Sequence, residues 1–214
     1  MNTSPTVLLI GLGIASLLPF ILVMLTSFVK MAVVLSIVRS ALGVSQVPPN
    51  VVITGMALVL SLVVMAPVAR DVAHQLTLHH AAWQDGDLGV MFDAAKKASD
   101  PVKNFLAANT DRKQYEGFVR LFSEQSDQVE LVGIQWQALL PAYVVSQLQE
   151  AFKMGFMIFL PFLVLDMIVA SILLSLGMHM LSPVTVSLPF KLLLFAMADG
   201  WSLIVHSLVG GYLG

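Results

Sequence analysis

The chain has 214 residues, of which 57% are hydrophobic and 11% charged, whereas soluble domains average roughly 45–50% and about 25%. A formal charge of −2 supplies no basic field for nucleic acid, and the lack of cysteine excludes disulfides, thiolate metal sites and a cysteine nucleophile. This is a membrane composition, and the charges divide it: eleven of thirteen acidic residues and six of eleven basic ones lie between Asp71 and Glu150.

Met1 to Thr6 lacks the positive n-region of a secretory signal, and the apolar run after it is too long for a signal core. It is therefore expected to be retained in the mature protein. Val7 to Val29 is 23 residues without a charge, enough for the ~20 that cross a hydrocarbon core as helix, with a kink expected at Pro19. The apolar pattern continues past Lys30 to Val38 as one long helix. An ammonium placed there needs a partner or a water-filled cavity, or else snorkels to an interface. Pro48 and Pro49 make Gly43 to Asn50 a stiff turn. Val51 to Ala69 is a second uncharged span, and Arg70 and Asp71 mark its exit, so residues 1–70 read as a hydrophobic helical hairpin.

Residues 71–138 read as a polar helical insert. Asp87 is expected to cap a helix with Leu88, Met91, Phe92 and Ala95 on one face. Asp100 and Pro101 open a second, carrying Phe105 and Leu106, and Asp111 caps a third with Tyr115, Phe118, Val119 and Phe122 inside. Such an insert has only a thin core of its own. Residues 139–214 form a second hydrophobic hairpin. Leu140, Tyr143, Val144, Leu148, Ala151 and Phe152 give an amphipathic helix that enters the apolar run Gly155 to Leu176, whose one charge is Asp166. Ser171 and Ser175, one turn apart, would let another helix approach closely. Leu192 to Val209 is the last run. It carries Asp199, with Ala196 and Gly200 again at small-residue spacing, and Gly210, Gly211 and Gly214 are expected to end the chain flexibly. Lys30, Arg39 and Lys191, near the tight connections, favour those loops on the cytoplasmic side and the insert outside.

Between the last two runs, Gly177 to Lys191 contains a glycine and two prolines that oppose a continuous helix, yet it is too apolar for a solvated loop. Such a connection belongs inside protein or along a cavity. Met178 and Met180 suit either plain loop packing or a ring of thioethers, from several subunits, that closes a pore and still yields. Lys30, Asp166, Lys191 and Asp199 are consistent with a proton or ion pathway, or with pairs that fix helix register. Two carboxylates on separate runs, with no third acid or histidine near them in sequence, favour pairing. His74, His79 and His80 lack zinc-site spacing, and His206 fits a hydrogen-bonded core position. No phosphate loop, nucleophile elbow or HExxH motif occurs, so nothing points to an enzyme or a cofactor.

Three stretches resemble the FliP/SctR family, core export-gate subunits of flagellar and injectisome type III secretion systems. They are Thr26-Ser-Phe-Val-Lys30 through Arg39-Ser-Ala-Leu-Gly43 with Gln46-Val-Pro-Pro-Asn50; Pro141-Ala-Tyr-Val-Val-Ser-Gln-Leu148 with Ala151-Phe-Lys153 and Gly155-Phe156; and Met180-Leu-Ser-Pro-Val-Thr-Val-Ser-Leu-Pro-Phe-Lys191 with Asp199-Gly-Trp201. The resemblance implies an all-α, membrane-associated protein whose hairpins stack between subunits. About five copies would join SctS/FliQ-like and SctT/FliR-like proteins in an oligomeric helical funnel. SctU/FlhB-like and SctV/FlhA-like export proteins and the secreted substrates are further implied partners.

In that family the loop at Met178, His179 and Met180 forms a gasket around the export channel. This chain has His179 where methionine is usual, so His179 either points away from the channel or adds a polar, titratable element. The absent signal peptide favours an injectisome member over a flagellar one. The expected function is passage of unfolded proteins across the bacterial inner membrane, without a catalytic step, by a subunit that assembly displaces towards the periplasm. The competing class is an independent ion or small-solute transporter using Asp166 and Asp199. Broken helices in inverted repeats would be expected of that class, and no repeat is visible.

Overall fold

The computed structural model describes residues 13, 16, 20, 21, 23–44, 47–78, 88–124 and 131–213. All the regular structure among the described residues is helical: α1 (Phe28–Ala41), α2 (Asn50–Leu78), α3 (Leu88–Ala108), α4 (Arg112–Glu124), α5 (Leu131–Ser175), α6 (Pro183–Met197) and α7 (Gly200–Leu213). The fold is all-α, as expected. The chain separates into two compact units, Met1–Val29 with Met65–Ser146, and Lys30–Val64 with Gln147–Gly214. These cut across the three sequence segments, because α2 and α5 each contribute to both.

In the first unit, Leu106, Leu139 and Tyr143 form the core, with Leu25, Val102, Phe105, Tyr115, Trp136 and Val144 packed around them. The buried face of α3 runs through Ala94, Ala98 and Leu106, and Ala95, expected inside, is exposed. That stripe also explains why Asp100 and Pro101 do not start a new helix: α3 continues through Pro101, held by buried neighbours on both sides of it. Asp111 does cap α4, its Oδ1 accepting from the amides of Lys113 (2.9 Å) and Gln114 (3.2 Å). Tyr115, Phe118, Val119 and Phe122 lie half-buried on one face of α4, as their spacing predicts. The expected cap at Asp87, the side chains of Leu88, Met91 and Phe92, the kink at Pro19, and His79 and His80 all lie outside the described residues.

The expected long helix through Lys30 is interrupted at Leu25–Ser27. Thr26 is the cause, since its hydroxyl donates to the Val23 carbonyl (3.2 Å) and accepts from the Phe28 amide (3.4 Å). A side chain that satisfies nearby backbone groups competes with helix continuation. The Thr26 carbonyl accepts instead from the Tyr143 hydroxyl (3.0 Å). Ser146 fastens α4 to α5 by donating to the Ala142 carbonyl (2.7 Å) and accepting from the Asp111 amide (2.9 Å).

In the second unit, α1 buries Met31, Val34, Leu35, Val38 and Ala41, a stripe at helical spacing. Gly155 of α5 lies against this helix, where a Cβ would come within 2.4 Å of Ile37 Cδ1. Gly43, at φ +75°, ends α1. Arg39 then closes the proline turn, donating to the Pro48 carbonyl (3.4 Å) and to Asn50 Oδ1. The turn contains a cis Val47–Pro48 bond. α2 buries only Ile53, Ala57, Ser61 and Val64 and runs on past Arg70 and Asp71 to Leu78, so those charges do not end it.

Two further expectations are corrected near the C-terminus. The run Leu192 to Val209 is broken at Asp199, whose φ is +48°, and α6 and α7 meet there at a 60° bend. Phe195 fills the corner, 5.3 Å from the Trp201 ring in an edge-on contact. Gly200 permits this, because a Cβ there would lie 2.3 Å from the Phe195 ring. Gly210 and Gly211, expected to be flexible, are helical within α7, and Gly214 lies outside the described residues.

Candidate functional site

Sequence patterning singled out three features, all in the second unit: a loop, and two lysines on apolar helices. The loop is short. α5 ends in a Schellman arrangement in which Gly177, at φ +74°, turns the chain while the amides of Gly177 and Met178 donate to the carbonyls of Leu174 (3.1 Å) and Leu173 (2.9 Å). Residues 176–182 follow, and Pro183 stands at the first position of α6, where its missing N–H removes nothing. Pro189 does not break the helix as expected. It lies inside α6, where Ser187, Lys191 and Phe195, one turn apart, form the buried face that holds the helix on both sides of it. Within this chain Met180 is 98% exposed, Met178 45%, and His179 and Leu181 are exposed beside them.

Lys191 is buried. Its ammonium donates to Asp166 Oδ2 at 2.6 Å and to the Ala41 carbonyl, at the end of α1, at 3.3 Å. Ser187 donates to the other oxygen of Asp166, and the Val184 carbonyl lies 3.1 Å from the same hydroxyl. A mid-helix carboxylate and a buried ammonium on neighbouring elements thus neutralise each other, and each gains neutral hydrogen-bonding partners. The position of Lys191 at the carbonyl end of α1 adds a favourable helix-dipole interaction.

Lys30 is buried too, and its ammonium pairs at 2.5 Å with Oε2 of Glu150, whose side chain is half-exposed. Its ammonium lies 4.5 Å from the centre of the Tyr212 ring, a cation–π geometry. The Tyr212 hydroxyl donates to Gln147 Oε1, which is one turn from Glu150 on α5. Asp199 stands apart, exposed at the α6–α7 bend, and joins neither cluster. His206 is exposed, not a core residue, with Nδ1 2.8 Å from the Ser202 carbonyl oxygen. Among the described residues no three His, Asp or Glu side chains converge as metal ligands would, and no buried side-chain N or O lacks a hydrogen-bond partner.

Sequence patterning missed Glu150, Gln147, Ser187 and Tyr212. Ser187 had a signal, because it lies four residues before Lys191 and so shares its helix face. Glu150 and Lys30 are 120 positions apart, and nothing local links them.

Two described helices, Asn50–Leu78 and Trp136–Ser175, are long and apolar enough to cross a membrane, and the bent pair Pro183–Met197 and Gly200–Tyr212 makes a third if it counts as one span. Only 22% and 17% of the most apolar windows of the two long helices are buried within the chain, so most of that apolar surface remains available to lipid or to other protein. The all-α fold and its long apolar helices define an integral membrane protein. More particularly, the chain belongs to the FliP family, whose model matches residues 11–208. It is 43% identical to the Yop proteins translocation protein R of Yersinia pestis, over 97% of this chain and 96% of that protein. It is 42% identical to the virulence protein YscR of Salmonella typhimurium, over 98% and 97% of the two chains. The flagellar biosynthetic protein FliP of Bacillus subtilis is 40% identical, over 99% and 94%.

Proposed function

We propose that this chain is a pore-forming structural subunit of a type III secretion export gate, which passes unfolded proteins across the bacterial inner membrane. The observation that carries the proposal is end-to-end similarity to translocation and flagellar biosynthetic proteins, about 40% identity over nearly the full length of each. The geometry is consistent with it. The protomer neutralises Lys30 and Lys191 internally yet leaves Val59, Leu62, Phe156, Met157, Met167 and Leu203 at least 60% exposed, surface that neighbouring copies and SctS/FliQ-like and SctT/FliR-like partners would cover. In this reading Met178, His179 and Met180 face the channel of a ring of about five copies, and no chemical step is assigned to the subunit. Lys30, Asp166 and Lys191 act as internal braces.

The transporter alternative is less well supported. It needs Asp166 to take up and release an ion or proton, whereas that carboxylate is already engaged by Lys191 and Ser187.

The chain has no native cysteine, so Met180→Cys offers a clean single-thiol probe. With a cysteine-bearing substrate arrested during export, the expected result is a disulfide adduct at position 180 and none at Leu62→Cys on the outer face of α2. Adducts at Leu62→Cys alone would refute the channel-facing placement.

A further inference from the structure

Twelve methionines occur in this chain, and they differ sharply in environment. Met31 is fully buried. Met157 (65% exposed) and Met167 (63%) stand on α5 among exposed Phe156, Leu160, Val164 and Ile168, an apolar surface that lipid or protein would cover. Met197 (79%) lies at the α6–α7 bend. Met180 (98%) is the most exposed large hydrophobic side chain described, and its loop neighbours His179 and Ser182 are polar and exposed. The loop is pinned by the Gly177 turn at one end and by Pro183 at the other. Short tethers of this kind hold the Met180 thioether clear of the rest of the chain, with the polar side chains of His179 and Ser182 beside it.

We infer that Met180, with Met178 beside it, is a reversible oxidation site through which peroxide loosens the closed gate. The inference rests on the proposed channel-facing placement of the loop. A sulfur lone pair attacks one oxygen of hydrogen peroxide, the O–O bond breaks, and an S–O bond forms. The departing hydroxide takes the remaining proton and leaves as water. Sulfur loses two electrons and peroxide gains them, and the thioether becomes a sulfoxide. Thioethers make an apolar constriction that excludes water and thereby blocks ions, whereas a sulfoxide oxygen accepts hydrogen bonds and holds water in place. Oxidation therefore converts a dry closure into a wet one. Methionine sulfoxide reductases, one for each epimer, return the thioether at the expense of a dithiol reductant, which is oxidised to a disulfide as the sulfoxide oxygen leaves as water, and the closure is restored.

The test uses the gate assembled with its co-expressed partners, reconstituted in potassium-loaded vesicles and exposed to graded hydrogen peroxide. Peptide mass analysis follows each methionine while potassium release reports leakage. Met178 and Met180 are expected to oxidise several-fold faster than Met31, Met157 and Met167, with leakage rising in step and falling again after treatment with both reductases. Met178→Leu with Met180→Leu should abolish the peroxide-induced rise, and Met197→Leu should preserve it. If Met180 oxidises first and leakage does not change, the redox inference fails while the channel-facing placement survives. If Met180 oxidises no faster than Met157 and Met167 in the assembled gate, the redox inference fails, while the channel-facing placement is decided separately by the adducts at Met180→Cys.

Discussion

Lys191 shows how one buried side chain organises its surroundings. It reaches Asp166 on α5 and the last turn of α1 from its place on α6, and Ser187 completes the Asp166 contacts. Removing one member of a buried pair strands the other charge, which typically costs about 3–5 kcal/mol, whereas replacing both is far milder. Lys191→Met and Asp166→Asn are therefore each expected to lower the thermal stability of the detergent-extracted complex markedly. The double variant should recover much of the loss, as a double-mutant cycle would measure. Strict additivity of the two losses would mean that the pair does not act as a unit. The charges of this site were legible from sequence, because Lys30, Asp166 and Lys191 interrupt apolar runs where an ionised group needs a partner. Their partners were legible only where local periodicity helps. Glu150 hides at the edge of the polar segment, and Tyr212 belongs to a tail whose glycines suggested flexibility; what makes that tail helical is its packing, with Leu208 fully buried and Tyr212 over Lys30.

At the level of elements, the apolar helices were readable from charge-free length, and the cap at Asp111 from its residue type. Boundaries set by tertiary contact were not. Pro101 and Pro189 both sit inside helices because the buried faces continue past them, while Thr26 breaks a helix that hydropathy alone would extend. The close contact of α1 with α5 was equally hidden, since Gly155 carries no hydropathy signal of its own. Any Cβ at position 155 would meet Ile37 not only at Cδ1 but also at Cγ2 (3.0 Å) and Cβ (3.1 Å), and a β-branched side chain cannot swing those atoms aside. Gly155→Ala is expected to destabilise the fold by about 1–3 kcal/mol. Ile37→Ala in the same chain should restore part of that loss, as read by thermal unfolding in detergent. An unaltered melting profile for Gly155→Ala alone would contradict the close approach.

The molecule as a whole pairs Lys30 and Lys191 within the chain and leaves its apolar flanks uncovered. An independent transporter working through Asp166 and Asp199 would bury its helices against one another and keep both carboxylates free to exchange an ion. This chain leaves α2 and most of α5 open and ties Asp166 down. On this account the missing packing comes from other copies and from SctS/FliQ-like and SctT/FliR-like proteins. The most direct measurement is native mass spectrometry of the complex released from membranes by mild detergent after co-expression with those partners. The account predicts one dominant species containing several copies of this chain together with both partners. A monomer or simple homodimer that conducts ions without them would contradict it.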